Sequence, residues 1–114
     1  MIPESLESAI SLLKRNLTFN EKEFIKNSSE NKILAQAHHS IGRDIRNDWG
    51  FWTDSNLKRE LISLGLEHPD DMSGLILQCC IRDIKGEARD IPGIVKHYQE
   101  YWARMKVEYA PNAS

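Results

Sequence analysis

Two short stretches hold most of the side chains in this chain that could do chemistry: HHSIGRDIRNDWGFW at residues 38–52 and HPDDMS at residues 68–73. Three imidazoles, on His38, His39 and His68, together with the carboxylates of Asp70 and Asp71, are residue types that zinc takes as ligands. The spacing opposes this, because side chains of neighbouring residues on a regular helix diverge by about 100° and His38 and His39 cannot both face one ion. No metal site and no cofactor are expected. The other chemistry these residues can spell is hydrolytic or nucleolytic, with His39 as a base, Arg43 and Arg46 on a developing anion, and Asp70 or Asp71 beside them. Nothing in the sequence fixes a nucleophile, and there is no nucleotide loop, zinc spacing or nucleophile elbow. The chain is therefore expected not to be an enzyme.

Structural readings of the same residues compete with the chemical ones. Asp70 and Asp71 follow Pro69 at a helix start, where acids face the positive end of the macrodipole. His38 reads as a core histidine with one hydrogen bond, and Trp49, Phe51 and Trp52 read as an aromatic corner. In order, the two stretches give His-x3-Gly-x3-Arg-Asn-x-Trp-x2-Trp and then His-Pro-Asp-Asp-Met-Ser. On His38, Gly42, Arg46, Asn47, Trp49 and Trp52, and on His68, Pro69, Asp70, Asp71, Met72 and Ser73, the chain resembles an uncharacterised family of small bacterial helical proteins, a domain of unknown function. The resemblance spans roughly residues 34–85. It implies a shared helical fold and no activity.

The elements that must position these residues are helical throughout. Residues 69–85 carry apolar side chains on nearly every side, so they form a buried central helix ending at Gly86. Asp83 falls in its most apolar sector and needs a partner, with Arg46 or His38 the natural candidates, unless it reaches water at the helix end. Leu6, Ile10, Leu13 and Leu17 mark a first helix from Pro3 to about Asn16. Thr18 and Glu21 stand in capping-box spacing before a short helix over residues 20–26. A third helix, capped by Ser28 or Ser29, runs to about Asp48, with Leu34, Ala37, His38, Ile41 and Ile45 on its core face and His39, Arg43, Arg46 and Asn47 on its polar face. Gly42, at about 1 kcal/mol worse than alanine in a helix, implies a close neighbour. A fourth helix, capped by Asp54 or Ser55, ends at Gly65 in a Schellman turn with Leu66 folding back on Leu61. The last starts around Asp90 and Pro92 and carries an aromatic face of Tyr98, Tyr101 and Trp102, and Pro111 and the polar tail end the fold. The expectation is an all-α single domain over residues 1–114, a bundle of five to six helices.

Composition narrows the partners. With 15 Lys and Arg against 17 Asp and Glu, the net charge is -2 and no basic stripe exists to hold phosphates, so nucleic acid is not expected. No segment reaches 18 apolar residues and the N-terminus lacks a basic region before an apolar run, so a cytoplasmic protein without a membrane partner is expected. Adjacent Cys79 and Cys80 cannot make an unstrained disulfide and read as small core residues. The favoured function is a protein-binding module, an immunity- or antitoxin-like inhibitor of a basic toxin domain, monomeric or homodimeric. Glu67, Asp70, Asp71, Glu87 and Asp90 are its candidate contact residues. A small hydrolase built on the His/Arg/Asp cluster is the alternative, and a regulatory or homodimerising module the third.

Overall fold

The computed structural model describes residues 2–51 and 53–109. Among them lie seven α-helices and no strand: α1 (Leu6–Asn16), α2 (Phe19–Asn27), α3 (Glu30–Ala37), α4 (Ile41–Asp48), α5 (Asn56–Ser63), α6 (Pro69–Lys85) and α7 (Ile91–Tyr109). Trp52 and the tail around Pro111 lie outside the described residues. Among the described residues, no helix is long and apolar enough to cross a membrane.

Helix α6 is the axis of the molecule because α1, α2, α3, α4 and α7 all pack against it. Met72, Leu75, Ile76 and Cys79 have no exposed surface, and Leu77, Cys80 and Ile81 are buried on its other sides. That all-round burial is what an apolar helix without a polar face requires. Its ends are set locally. Pro69 occupies the first turn, and Gly86, at φ 75°, closes the last turn with its own N–H to the Asp83 carbonyl at 3.2 Å and that of Glu87 to the Arg82 carbonyl at 2.8 Å. Burial pushes both cysteine thiols up to about 11, so they act as apolar filler and not as nucleophiles.

The smaller helices obey their caps. Helix α1 begins at Leu6 and not at Pro3, because Ser5 caps it: the Ser5 hydroxyl accepts from the Ser8 N–H at 3.2 Å and Ser8 Oγ accepts from the Ser5 N–H at 3.0 Å. Thr18 and Glu21 form the expected reciprocal pair at 3.1 and 2.8 Å, giving α2. Ser55 caps α5. At its other end the Leu66 N–H reaches the Leu61 carbonyl at 3.2 Å across Gly65, which sits at φ 112° as the Schellman reading required. Trp49 and Phe51 are buried in the main core and form the inner part of the aromatic corner.

The expected single third helix is two helices, and this raises the count to seven. The apolar period runs unbroken through the interruption at residues 38–40, so periodicity could not reveal it. The carbonyls released at the break are taken up by side chains: Ser40 Oγ donates to the Gln36 and Ala37 carbonyls at 3.2 and 3.4 Å, and Arg46 Nη2 donates to the His38 carbonyl at 3.1 Å. A Cβ on Gly42 would stand 3.0 Å from the Ala37 carbonyl oxygen and 3.3 Å from Arg46 Nη1. Glycine is there because the backbone of α3 and the Arg46 side chain both press against it.

Candidate functional site

The first polar stretch meets the second through Arg46. The helical period places this residue on a polar face, but it is buried at 7% exposure, because the break turns α4 so that Arg46 points at the start of α6. Its guanidinium uses every edge: Nη1 donates to Ser73 Oγ at 3.1 Å, Nη2 to the His38 carbonyl, and Nε lies 3.2 Å from Asp70 Oδ1. Ser73 Oγ in turn donates to the Asp70 carbonyl at 3.0 Å. Only a planar fork with several donors can serve three acceptors in three directions. The motif residues His38, Gly42, Arg46, Asp70 and Ser73 thus build one lock between α3, α4 and α6.

Around α6 from Asp70, Asp71 faces α7. It is buried at 8% exposure, and its Oδ2 accepts the Trp102 indole N–H at 2.7 Å. The Trp102 ring stacks on His68, with centroids 3.9 Å apart and planes 26° from parallel. Burial pushes the Asp71 carboxyl above its ordinary range, against the opposing pull of the Trp102 hydrogen bond. These groups line a cleft of about 500 Å³ with Glu67, Tyr98 and Gln99. Gln99 Nε2 donates to the Gly65 carbonyl at 3.2 Å, joining the end of α5 to α7. Gly74 lets Tyr98 lie against α6, and the phenol donates to Gln78 Oε1 at 2.9 Å. From Gln78 a polar chain continues to Glu30, which holds Arg82 through two hydrogen bonds at 3.0 and 3.1 Å.

Asp83 pairs with neither Arg46 nor His38. It lies 13 residues beyond Asp70, about 20 Å along a helix axis, so Arg46 cannot serve both ends of α6. Its partners are Arg89, through Nε at 2.8 Å and Nη2 at 2.7 Å, and Lys14 Nζ at 2.9 Å. Arg89 also reaches Glu7. The Arg89 hydrogen bonds, with help from Lys14, hold the Asp83 carboxyl down at about 2 from an ordinary 3.8. Because its folded-state pKa lies below the unfolded value, Asp83 adds stability above about pH 4 that is lost as pH falls towards 2. Asp83→Asn is expected to lower stability at pH 7 by on the order of 1 to 2 kcal/mol, with the two proteins converging near pH 2 in urea unfolding. Parallel curves over the whole range would remove the pair from the account.

The remaining candidates are scattered. His39 and Arg43 are exposed, and the His38 and His39 rings meet edge to face at 4.7 Å. His38 is half-buried, not a core residue. The five-residue hydrolytic cluster is divided, with Arg46 and Asp70 bonded to each other and Asp71 turned to Trp102. Among the described residues no three His, Cys, Asp or Glu side chains are grouped to hold a metal ion. The acids expected at a partner surface do not form one patch. Asp71 is buried, Asp70 is tied to Arg46, and exposed Glu67 and Glu87 flank opposite ends of α6, about 25 Å apart. Asp90, at φ 51°, accepts the Gly93 N–H and starts α7. Trp102, Tyr98 and Gln99 are site residues that the sequence does not single out, since its apolar period places Trp102 and Tyr98 only on an apolar face. The available signal was the pair of polar atoms on those aromatic rings, which need partners when buried.

These features define an all-α protein wrapped round a buried helix, with an arginine-centred lock on one side of that helix and an aromatic, acidic cleft on another. The chain belongs to the family described as Domain of unknown function (DUF6794), whose model matches residues 2–84. The match takes in α1, which the motif resemblance had left outside, and it includes the whole Arg46 lock. It ends before α7, so Trp102 lies beyond it. No curated protein and no solved structure matches the chain.

Proposed function

We propose that the chain is a small protein-binding module whose recognition surface is the face where the end of α5 meets α7. The observation that carries this reading is the exposure of Trp102 at 37% in the cleft lining, with Leu64 at 37% next to the lining residue Gly65, Ile62 at 49% on the same helix end, and Tyr101 at 39% next to Trp102 in the chain. Tyr101 meets Trp102 edge to face at 5.2 Å, so the surface is a supported aromatic one and not a set of isolated side chains. Exposed aromatic and aliphatic groups beside a concavity are the usual centre of a protein interface. The finer form of the reading is an immunity- or antitoxin-like inhibitor of a basic toxin domain. Glu67, exposed at the cleft, supports it by setting negative charge beside the apolar contacts, where charge speeds association.

Affinity capture from source cells tests the reading with three proteins: wild type, the double variant Leu64→Asp with Tyr101→Asp, and Phe19→Asp, which alters an exposed apolar residue on α2. A partner retained by wild type and Phe19→Asp and lost by the double variant is the expected result. Equal retention by all three would overturn it, as would turnover of a phosphodiester by purified protein that His39→Ala abolishes.

A further inference from the structure

We infer that the cleft between His68, Asp71 and Trp102 is a binding site for an organic cation, an ammonium or guanidinium group carried on an apolar stem. Four observations converge on that chemistry. Asp71 is a buried residue, 8% exposed, yet among the described residues it has no ion pair, whereas Asp83 has Arg89 and Lys14 and Glu30 has Arg82. Buried carboxylates are ordinarily paired, and burial raises the Asp71 pKa against the opposing pull of the Trp102 hydrogen bond and the nearby His68 and His97 imidazoles. Its Oδ2 is held by the Trp102 indole, while Oδ1 has no donor among the described residues and belongs to a side chain lining the cleft. Glu67 adds a second acid to the lining, and among the described lining residues there is no lysine or arginine to neutralise either.

The aromatic lining supplies the rest. The Trp102 and His68 rings stack into one plate, and Tyr98 stands beside it with its hydroxyl already spent on Gln78. Aromatic faces attract cations, most strongly where water is displaced, and they also cover a methylene stem. At about 500 Å³ the cleft has room for a basic side chain or a free amine, and too much for an ion alone. The hydrogen bond to Trp102 fixes the carboxylate in advance, so binding need not order it. The two sources of such a group are a lysine or arginine of a partner protein and a free small amine. This inference stands apart from the protein-binding reading, because either source satisfies it and its test uses no partner.

The test is a titration of purified full chain followed by the Trp102 indole N–H resonance, assigned with Trp102→Phe. The probes are n-butylguanidine, n-butylamine, butyrate, and capped pentapeptides with a central arginine, lysine or citrulline between glycines. Saturable shifts from the cationic probes, and none from butyrate or the citrulline peptide, are expected. Asp71→Asn keeps an acceptor for the indole and removes the charge, so it should weaken binding at least tenfold, and Glu67→Gln on the exposed edge two- to threefold. An arginine or lysine peptide binding tenfold tighter than n-butylguanidine or n-butylamine assigns the site to a protein side chain, and equal affinities assign it to a free amine. No saturable shift up to about 20 mM, where a Kd would be too weak to matter, overturns the inference. Equal response to the citrulline peptide overturns it too. If Asp71→Asn does not fold, unchanged affinity in Glu67→Gln together with binding of butyrate overturns it.

Discussion

Ile76→Asp is expected to leave the chain without a cooperative fold. Ile76 has no exposed surface and sits in the middle of α6, the helix that five others contact. The substitution removes a fully buried apolar side chain, worth about 1.5 to 3 kcal/mol, and inserts a carboxylate into the apolar core. An unpaired buried charge costs several kcal/mol more. The sum approaches or exceeds the whole stability of a domain this size, about 5 to 15 kcal/mol. Circular dichroism and urea unfolding check it, and a soluble variant with wild-type helicity and a sharp transition would show that α6 is not the axis.

The second large effect is expected from Arg46→Met, which keeps the aliphatic stem and removes the guanidinium. The His38 carbonyl then loses the donor that closes the break between α3 and α4, and Ser73 Oγ loses the Arg46 N–H that it accepts. Asp70, 57% exposed, turns to water at little cost, so the loss falls on the buried Ser73 hydroxyl and the part-buried His38 carbonyl. A destabilisation of about 2 to 3 kcal/mol follows. Arg46→Lys should recover less than half of it, since one ammonium cannot reach three acceptors in three directions. A variant within about 0.5 kcal/mol of wild type, the range of ordinary surface changes, would mean that Arg46 is not structural and would return it to the catalytic reading. Combined with Asp83→Asn, Arg46→Met is expected to be additive, because the two residues serve opposite ends of α6.

Which features the sequence disclosed follows from how far each one reaches along the chain. The bounds of α6 were legible because Pro69, the two acids after it and Gly86 all act on backbone within one turn. The Schellman turn at Gly65 and the box at Thr18 and Glu21 were legible for the same reason. The break after Ala37 was not, because its cause is an arginine eight residues beyond His38 reaching back to a carbonyl, while the apolar pattern passes through undisturbed. Asp83 was recognised as needing a partner, but a helical wheel gives direction around an axis and not position along it. It therefore pointed to Arg46 when the true partners were Lys14 and Arg89. Asp71 was explained as a first-turn acid, which satisfied local physics and hid its contact with Trp102, 31 residues away. The candidate site was thus half visible: its α6 residues were singled out and its α7 residues were not.

In the proposed division of labour, the polar motif around Arg46 builds the fold, while recognition occurs at the face of α5 and α7. Site-specific photo-crosslinking in the source cell tests it most directly, with a photoreactive residue placed singly at Leu64, Tyr101, His39 or Arg43, all four exposed positions. A common crosslinked protein from positions 64 and 101, and none from positions 39 and 43, is the expected result. Crosslinks from 39 and 43 with none from 64 and 101 would contradict it.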